Sequence, residues 1–274
     1  MVRILKIIID WIMQQLTVMA RTEGVWMERM KFYSSEDVVD LNRRFADSTA
    51  QEIVQWAVDS FGTNVTLASS FGAEDVVLVD ILAKLAQKPR IFILDTGRLH
   101  QETYDVIEKV RAKYGIEFEF YFPKTGDAEE LLRAKGPNSF YDSVENRKEC
   151  CYIRKVEPLN RALSTADAWI TGLRRGQSVT RTGLDVVEID AGHGGILKIN
   201  PLINWSEQDV WDYIKANDVP YNALHDKGFP SIGCAPCTRA ISPGEDLRAG
   251  RWWWESPEHK ECGLHIKDGK VVRR

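Results

Sequence analysis

Five cysteines are the residues of this sequence whose types and spacing most clearly indicate chemistry. An adjacent pair lies in "KECCYIRK", a CxxC pair lies in "GCAPC", and one cysteine stands alone in "HKECGLH". They are Cys150, Cys151, Cys234, Cys237 and Cys262. In a reducing compartment, paired cysteines indicate metal ligands and a lone cysteine indicates a reactive thiol. We therefore expect the two pairs to bind metal and the lone thiol to react.

The spacing of the paired cysteines narrows the choice of metal. Zinc and iron–sulfur clusters both accept four thiolates. Structural zinc sites usually take cysteines about two to four residues apart on both sides, whereas Cys150 and Cys151 are adjacent. The spacing favours a [4Fe-4S] cluster over zinc. Buried cysteines without a ligand role and a vicinal disulfide are the remaining alternatives.

The lone Cys262 has basic neighbours, namely His259, Lys260 and His265. A thiol attacks only as the thiolate, and nearby positive charge lowers the pKa of a thiol. These neighbours are therefore the kind that a nucleophilic cysteine requires.

Three stretches at predicted strand ends contain residues suited to binding an anion. "SSFGAED" offers Ser69, Ser70 and Gly72 before a helix, although it lacks the Walker lysine and a plain helix cap explains it equally well. "LDTGRL" begins at Leu94, and a turn is the alternative there. "TGLRRGQSVTR" contains Gly172 and three arginines, which suit phosphate or sulfate as well as a solvated loop. Together the three stretches predict a pocket for a small, highly anionic nucleotide.

The elements that must position these residues alternate along the chain. The pattern predicts strands over 64–70, 90–95, 117–122 and 168–173, and helices over 73–86, 101–115 and 154–163. Such alternation predicts an α/β fold, a parallel sheet with helices on both faces. Folds of this class bind ligands at the carboxyl ends of their strands, which is where the three stretches lie.

Composition limits the remaining choices. The chain has 274 residues, of which 44% are hydrophobic and 28% charged, with a net charge of −4. These values suit a soluble globular protein and disfavour general nucleic-acid binding. Residues 1–32 are expected to form an N-terminal helical extension rather than a signal peptide, because Asp10 interrupts the apolar run. With no membrane span predicted, we expect a cytoplasmic protein.

The motifs together resemble those of assimilatory adenylyl-sulfate (APS) reductases of the iron–sulfur type. The matching stretches are "SSFGAED", "LDTGRL", "ECCYIRKVEPL", "TGLRRGQS", "GCAPC" and "ECGLH", and the resemblance extends from about residue 35 onward. It implies a fold like that of the ATP-pyrophosphatase and adenine nucleotide alpha hydrolase superfamily, with "SSFGAED" as a modified phosphate loop. It also implies a sulfonucleotide-binding α/β domain over 33–233. The periodicity weakens after about residue 225, which predicts a mobile C-terminal segment over 234–274 with the CxxC pair and Cys262.

The resemblance implies a role for each motif residue. Cys262 would attack the sulfur of APS, expel AMP and become an S-sulfocysteine, while the four paired cysteines hold a [4Fe-4S] cluster. Sulfate and phosphate would be bound by Lys155, Arg248, Arg251 and His265. The nucleotide would be contacted by Ser69, Ser70, Leu94, Gly172 and Arg181. Sulfite, on the way to cysteine, would be released by an external thiol from thioredoxin or a glutaredoxin-like protein, because no cysteine of the chain is left over.

Other interpretations remain open. A 3′-phospho-APS (PAPS) reductase shares the fold and "ECGLH" but typically lacks both cysteine pairs. An ATP-dependent adenylating enzyme of the same superfamily would carry an SGGxDS-type loop and would leave Cys262 unexplained. A zinc-binding module without enzymatic activity would be expected to have a basic surface. Oligomeric state is left open by the sequence, with a homo-oligomer among the alternatives.

Overall fold

The computed structural model describes residues 33–177 and 183–256, together with the backbone of Ile266–Lys267 and Lys270–Val271. The chain separates into two compact units, Met1–Tyr33 and Ser34–Arg274. The predicted N-terminal extension and the site residues Arg181, Cys262 and His265 lie outside the described residues. The domain boundaries at residues 33 and 234 stay predictions. Among the described residues, no helix is long and apolar enough to cross a membrane.

A six-stranded sheet forms the centre of the larger unit. Its strands are β1 (Val65–Ser69), β2 (Ile91–Leu94), β3 (Glu119–Tyr121), β4 (Ala168–Ile170), β5 (Val187–Asp190) and β6 (Ile196–Ile199). The strand order is β3-β2-β1-β4-β6-β5, and all neighbours pair in parallel except β5 with β6. The predicted parallel sheet is therefore confirmed for the strands that the sequence identified.

The antiparallel edge strand β5 was not predicted. A short connection joins it to β6, through a 3-10 turn at Ala191–His193 and through Gly194 and Gly195, whose φ angles are 79° and 80°. So short a connection permits only antiparallel pairing, because a parallel return needs a crossover of a dozen or so residues.

Helices surround the sheet. They are α1 (Ser35–Arg44), α2 (Ala50–Phe61), α3 (Ala73–Leu85), α4 (Gln101–Tyr114), α5 (Thr125–Lys135), α6 (Val144–Cys151), α7 (Glu157–Leu163) and α8 (Glu207–Ala216). Capping boxes start three of them, at Ser34, Thr49 and Ser206. In each box the cap hydroxyl accepts a backbone N–H, and an acidic side chain three residues on accepts the N–H of the cap residue. Local sequence therefore defines these helix starts.

The strand order creates a crevice between β1 and β4. The chain runs from β1 outward to β2 and β3, then returns to place β4 on the other side of β1. Because crossover connections are right-handed, the two directions put the connecting helices on opposite faces of the sheet. The loops that follow β1 and β4 consequently diverge, and such switch points are where open α/β sheets bind ligands.

Candidate active site

A cavity of about 700 Å³ lies at the carboxyl ends of the strands, lined by the loops after β1, β2 and β4. Apart from Arg181 and His265, which lie outside the described residues, it is lined by all the anion- and nucleotide-binding residues that the resemblance implied. These residues are Ser69, Ser70, Leu94, Lys155, Gly172, Arg248 and Arg251. Residues from five separate stretches are thus brought to one cavity.

The loop after β1 is held by a carboxylate of its own helix. Asp75, in the first turn of α3, accepts hydrogen bonds from the backbone N–H of Ser70 at 2.6 Å and from its hydroxyl at 2.8 Å. Burial raises the pKa of Asp75 to about 6, and the two bonds from Ser70 oppose this rise. The loop predicted to cradle an anion therefore already has an acceptor for two of its donors.

Backbone strain and close packing give the loop its shape. Phe71 adopts a left-handed φ of 57°, is fully buried, and packs edge-on against Phe118 at 5.4 Å. In the loop after β4, a Cβ on Gly172 would lie 2.5 Å from Asp75 Oδ1. A side chain at position 172 would force Asp75 or the loop after β4 to shift, because this loop lies against the first turn of α3.

The arginines after β4 have partners within the protein. Arg174 lines the cavity, but its guanidinium is buried and bonds Glu74 of α3 at 2.8 Å. Arg175 donates to the carbonyl of Leu184 at 2.9 Å. Arg174 thus joins the loop after β4 to α3. Lys155, Lys215, Arg248 and Arg251 also line the cavity with cationic side chains.

The four paired cysteines lie together beside this cavity. No disulfide joins these four cysteines, which pack with the buried Phe140 and Trp252. They line a second, small cavity with Arg98, Arg147, Arg154 and Lys155. Cysteines distant in sequence meet because the turn after β2 holds both segments. Arg98 O accepts the N–H of Ala235 at 2.8 Å, and Arg154 donates to Thr96 O at 2.7 Å.

A π-helical turn at Tyr152–Val156 sets the direction of Lys155. It follows Cys151 at the end of α6 and precedes Pro158 in the first turn of α7. Proline has no N–H to give to the carbonyl four residues earlier, so the regular α-helical bonding cannot continue. Lys155 contributes to the walls of both cavities, as do Arg251 and Trp252. The wall between thiols and anion cavity is therefore partly cationic.

The pKa values of the Cys234 and Cys237 thiols are shifted in opposite directions. Burial opposes ionisation of Cys234, yet Lys155 and a contact of 3.3 Å with the Thr96 hydroxyl lower the pKa of its thiol. Burial, aided by the neighbouring cysteines, raises the pKa of the Cys237 thiol to about 12. Four ionised thiolates at this spacing would repel one another, so a bound cationic group would relieve the repulsion.

The donor set beside the cavity consists of four cysteine side chains, which are ligands for soft metal ions and for iron–sulfur clusters. Among residues 33–177 and 183–256, no group of three or more His, Cys, Asp or Glu side chains is arranged around one ion position. Four soft thiolates, several neighbouring cations and apolar packing by Phe140 and Trp252 suit an iron–sulfur cluster. Cys150, Cys151, Cys234 and Cys237 are the residues that could hold it.

Sequence reasoning missed several residues that organise the site. Asp75, Thr96, Arg147 and Glu255 act through partners far along the chain or through a loop geometry that local sequence does not specify. In the aromatic stretch "RWWW", Trp252 is buried against the cysteines. Of these four residues, only Asp75 could have been found from local sequence, because it is an acidic residue in the first turn of a helix.

Comparison with known proteins identifies the class to which this fold and site belong. The profile of the phosphoadenosine phosphosulfate reductase domain matches residues 64–240. The chain belongs to this family. It is also 56% identical over 202 residues to a protein of Burkholderia cepacia named adenosine 5′-phosphosulfate reductase, across 74% of this chain and 80% of that one.

Solved structures agree with this assignment. A phosphoadenylyl-sulfate (PAPS) reductase from Candida auris, solved as a phosphate complex, superposes with a TM-score of 0.65 and 33% identity, covering 76% of this chain and 98% of the other. An FMN adenylyltransferase from Candida glabrata gives a TM-score of 0.50 at 14% identity, covering 90% and 83%. The second likeness concerns the fold alone.

Proposed function

We propose that this protein is an adenosine 5′-phosphosulfate (APS) reductase, which converts APS to sulfite and AMP. The observation that carries this proposal is the shared wall of Lys155 and Arg251 between the four gathered thiols and the strand-end cavity. A cavity suited to an anionic nucleotide, beside a cysteine quartet, fits the name of the Burkholderia cepacia relative.

The first chemical step is a thiolate attack. Cys262 Sγ bonds to the sulfuryl sulfur of APS, the bond from that sulfur to the bridging oxygen breaks, and AMP leaves with the electron pair. The product on the protein is an S-sulfocysteine. Lys155, Arg248 and Arg251 stabilise the charge that develops on the bridging oxygen and the leaving phosphate, because fixed cations favour an anionic transition state.

The second step needs an external dithiol. One thiolate attacks Cys262 Sγ, sulfite leaves with the electron pair of the sulfur–sulfur bond, and a mixed disulfide forms. The second thiol of the donor then frees Cys262. The donor becomes a disulfide as the sulfur is reduced by two electrons. Thioredoxin or a glutaredoxin-like protein is the donor we propose, and its dithiol chemistry fits a cytoplasmic location.

Cys150, Cys151, Cys234 and Cys237 are the proposed ligands of a [4Fe-4S] cluster. Bound there, the cluster would supply fixed charge and covalent cross-links between α6 and the CxxC turn, and no electrons to the reaction. Lys155 and Arg251 lie between these thiols and the anion cavity. Their positive charge would therefore act both on a bound cluster and on the sulfuryl group of the substrate.

A reaction without any reductant tests the proposed function. Cluster-loaded protein is mixed with APS and analysed by intact mass spectrometry. We expect a gain of one SO3 group on Cys262 that reduced thioredoxin reverses, and no gain in the Cys262→Ser variant. The same reaction with PAPS tests the second candidate, a PAPS reductase, which the similarity to the Candida auris protein supports. No adduct with either nucleotide would contradict a sulfonucleotide reductase.

A further inference from the structure

The chain just before Cys262 is fastened to the cysteine quartet. We call residues 251–255 the tail base, because they are followed directly by the segment that carries Cys262. Within the tail base, Trp252 N–H donates to Cys237 O at 3.1 Å, and Glu255 N–H donates to Trp252 O at 2.8 Å. Arg251 also forms a bridge with Thr238, immediately after the CxxC pair. One side of the quartet is therefore in contact with the tail base.

A buried ion pair fastens the tail base to the other side of the quartet. Arg147 of α6 donates from Nε and Nη2 to the two carboxylate oxygens of Glu255, at 2.9 and 2.7 Å. The side chains of Arg147 and Glu255 are 1% and 3% exposed. The guanidinium also lies 4.9 Å from the centre of the Trp252 ring and interacts with Cys151. Two parallel charged bonds fix both distance and orientation, which a single contact would not.

The ion pair joins two segments that are 108 residues apart in the chain. Arg147 lies in the middle of α6, and Glu255 lies in the tail base. A buried pair gains little over apolar packing of equal volume, so a buried pair at this place calls for a reason other than stability. The nearest chemistry on both sides is the cysteine quartet and the segment leading to Cys262.

Chain length links the ion pair to the reaction. Cys262 lies seven positions after Glu255 in the sequence. A fully extended stretch of that length spans about 25 Å at most, so the point where it is anchored limits where the thiol can go. Arg251, at the wall of the anion cavity, lies four residues before Glu255 on the same fastened stretch.

We propose that Glu255 is a positioning residue, which holds the tail base on α6 through Arg147 so that Cys262 starts from a fixed point beside the anion cavity. This inference rests on the proposed function, in which Cys262 is the nucleophile. Glu255 touches neither the nucleotide cavity nor the reacting atoms in this assignment. Its loss should therefore slow attack by the thiol while nucleotide binding stays intact.

The experiment compares Glu255→Gln with Glu149→Gln in cluster-loaded protein. Glu149 is a matched control, because it lies on α6 beside Cys150 and its ion pair with Lys135, at 2.6 Å, is about 40% exposed on each side. The single-turnover rate of SO3 transfer from APS to Cys262 is measured without reductant. In Glu255→Gln it should fall by about tenfold to 100-fold, since a misplaced nucleophile loses orientation. In Glu149→Gln it should stay unchanged.

Two further readouts separate positioning from other effects. The AMP dissociation constant should change less than about twofold, because Glu255 does not contribute to nucleotide binding in this proposal. Backbone hydrogen exchange at Trp252 and Glu255 should become faster in Glu255→Gln alone, since the tail base loses its anchor. Iron–sulfur absorbance reports whether the cluster is retained.

Each outcome decides the proposal. Glu255→Gln with an intact cluster and a wild-type transfer rate overturns it. If that variant loses the cluster, Glu255→Asp is used, which keeps the charge and retracts it by one methylene. A retained cluster with slow transfer then supports positioning, and a wild-type rate, or loss of the cluster again, overturns it. If wild-type protein forms no adduct, the proposed function is refuted instead. Backbone hydrogen exchange at the tail base still shows whether the Arg147–Glu255 ion pair holds it.

Discussion

The carboxylate of Asp75 and the α-carbon of Gly172 approach so closely that a Cβ on the glycine would lie 2.5 Å from Asp75 Oδ1. The first residue belongs to the helix after β1, and the second to the loop after β4. Their contact fixes the spacing of the two loops that border the crevice. Asp75 also accepts two hydrogen bonds from Ser70, so one carboxylate links both loops.

Gly172→Ala should weaken nucleotide binding and lower stability. The added methyl group must displace the buried Asp75 or the loop after β4, and overpacking of this kind typically costs about 1–3 kcal/mol. The measurements are the AMP dissociation constant and the unfolding midpoint. Gly126→Ala in α5 is the control, because no atom lies within 4 Å of a Cβ there. Equal effects of the two variants would contradict the close approach.

Asp75→Asn should change how stability depends on pH. Burial raises the pKa of Asp75 from 3.8 to about 6. Because the folded pKa lies above the unfolded one, Asp75 favours folding at low pH, and this contribution is lost as the pH rises through about 6. The wild type should therefore lose up to about 3 kcal/mol of unfolding free energy, relative to Asp75→Asn, between about pH 4 and about pH 7.

Asp209→Asn should change the pH dependence of the unfolding free energy in the opposite direction from Asp75→Asn. Hydrogen bonds from Ser206 at the start of α8 lower the pKa of the Asp209 carboxyl. Its contribution to stability is present at neutral pH and lost as the pH falls through the folded pKa. Denaturant titrations at several pH values measure both variants. Curves that run parallel for the wild type and Asp75→Asn would rule out a raised pKa at Asp75.

Thr96→Val should make an iron–sulfur cluster at the quartet easier to lose. The Thr96 hydroxyl lies 3.3 Å from Cys234 Sγ, and valine keeps the shape while removing the hydroxyl. A hydrogen bond to a charged sulfur contributes about 1.5–3 kcal/mol. Decay of the iron–sulfur absorbance under a chelator should be faster than in the wild type. Thr125→Val, at the exposed start of α5, is the control and should decay at the wild-type rate.

Lys155→Met should impair catalysis with APS more than binding of AMP. The lysine lies in the wall between the thiols and the anion cavity, and methionine keeps much of its length without the charge. Loss of a charged contact that strengthens during sulfuryl transfer should lower kcat/KM by about tenfold to 100-fold. Lys148→Met, on the exposed surface of α6, should leave kcat/KM within about twofold of the wild type. A similar loss of kcat/KM in both variants would contradict a specific role for Lys155 in sulfuryl transfer.

The sequence by itself determined which residues are available for chemistry and the order of most elements. Cysteine spacing, the glycine and serine motifs and the alternation of apolar and amphipathic stretches depend only on neighbours along the chain. The strands at 64–70, 90–95, 117–122 and 168–173 appear where that pattern predicted them. The gathering of Ser69, Ser70, Leu94 and Gly172 at one cavity follows from a general property of parallel sheets, which bring the loops after successive strands to one edge.

Only the tertiary structure decided which of those residues keep free donors for a ligand. Arg174 looked like an anion-binding residue in the sequence but is paired with Glu74, one hundred residues away. Ser70 looked like an open donor but bonds Asp75, and Lys155 gains its place from a π-helical turn. The pairing of Arg147 with Glu255 spans 108 residues. A charge or donor is satisfied by whatever the fold brings within about 3 Å, and that distance is set by packing rather than by spacing along the chain.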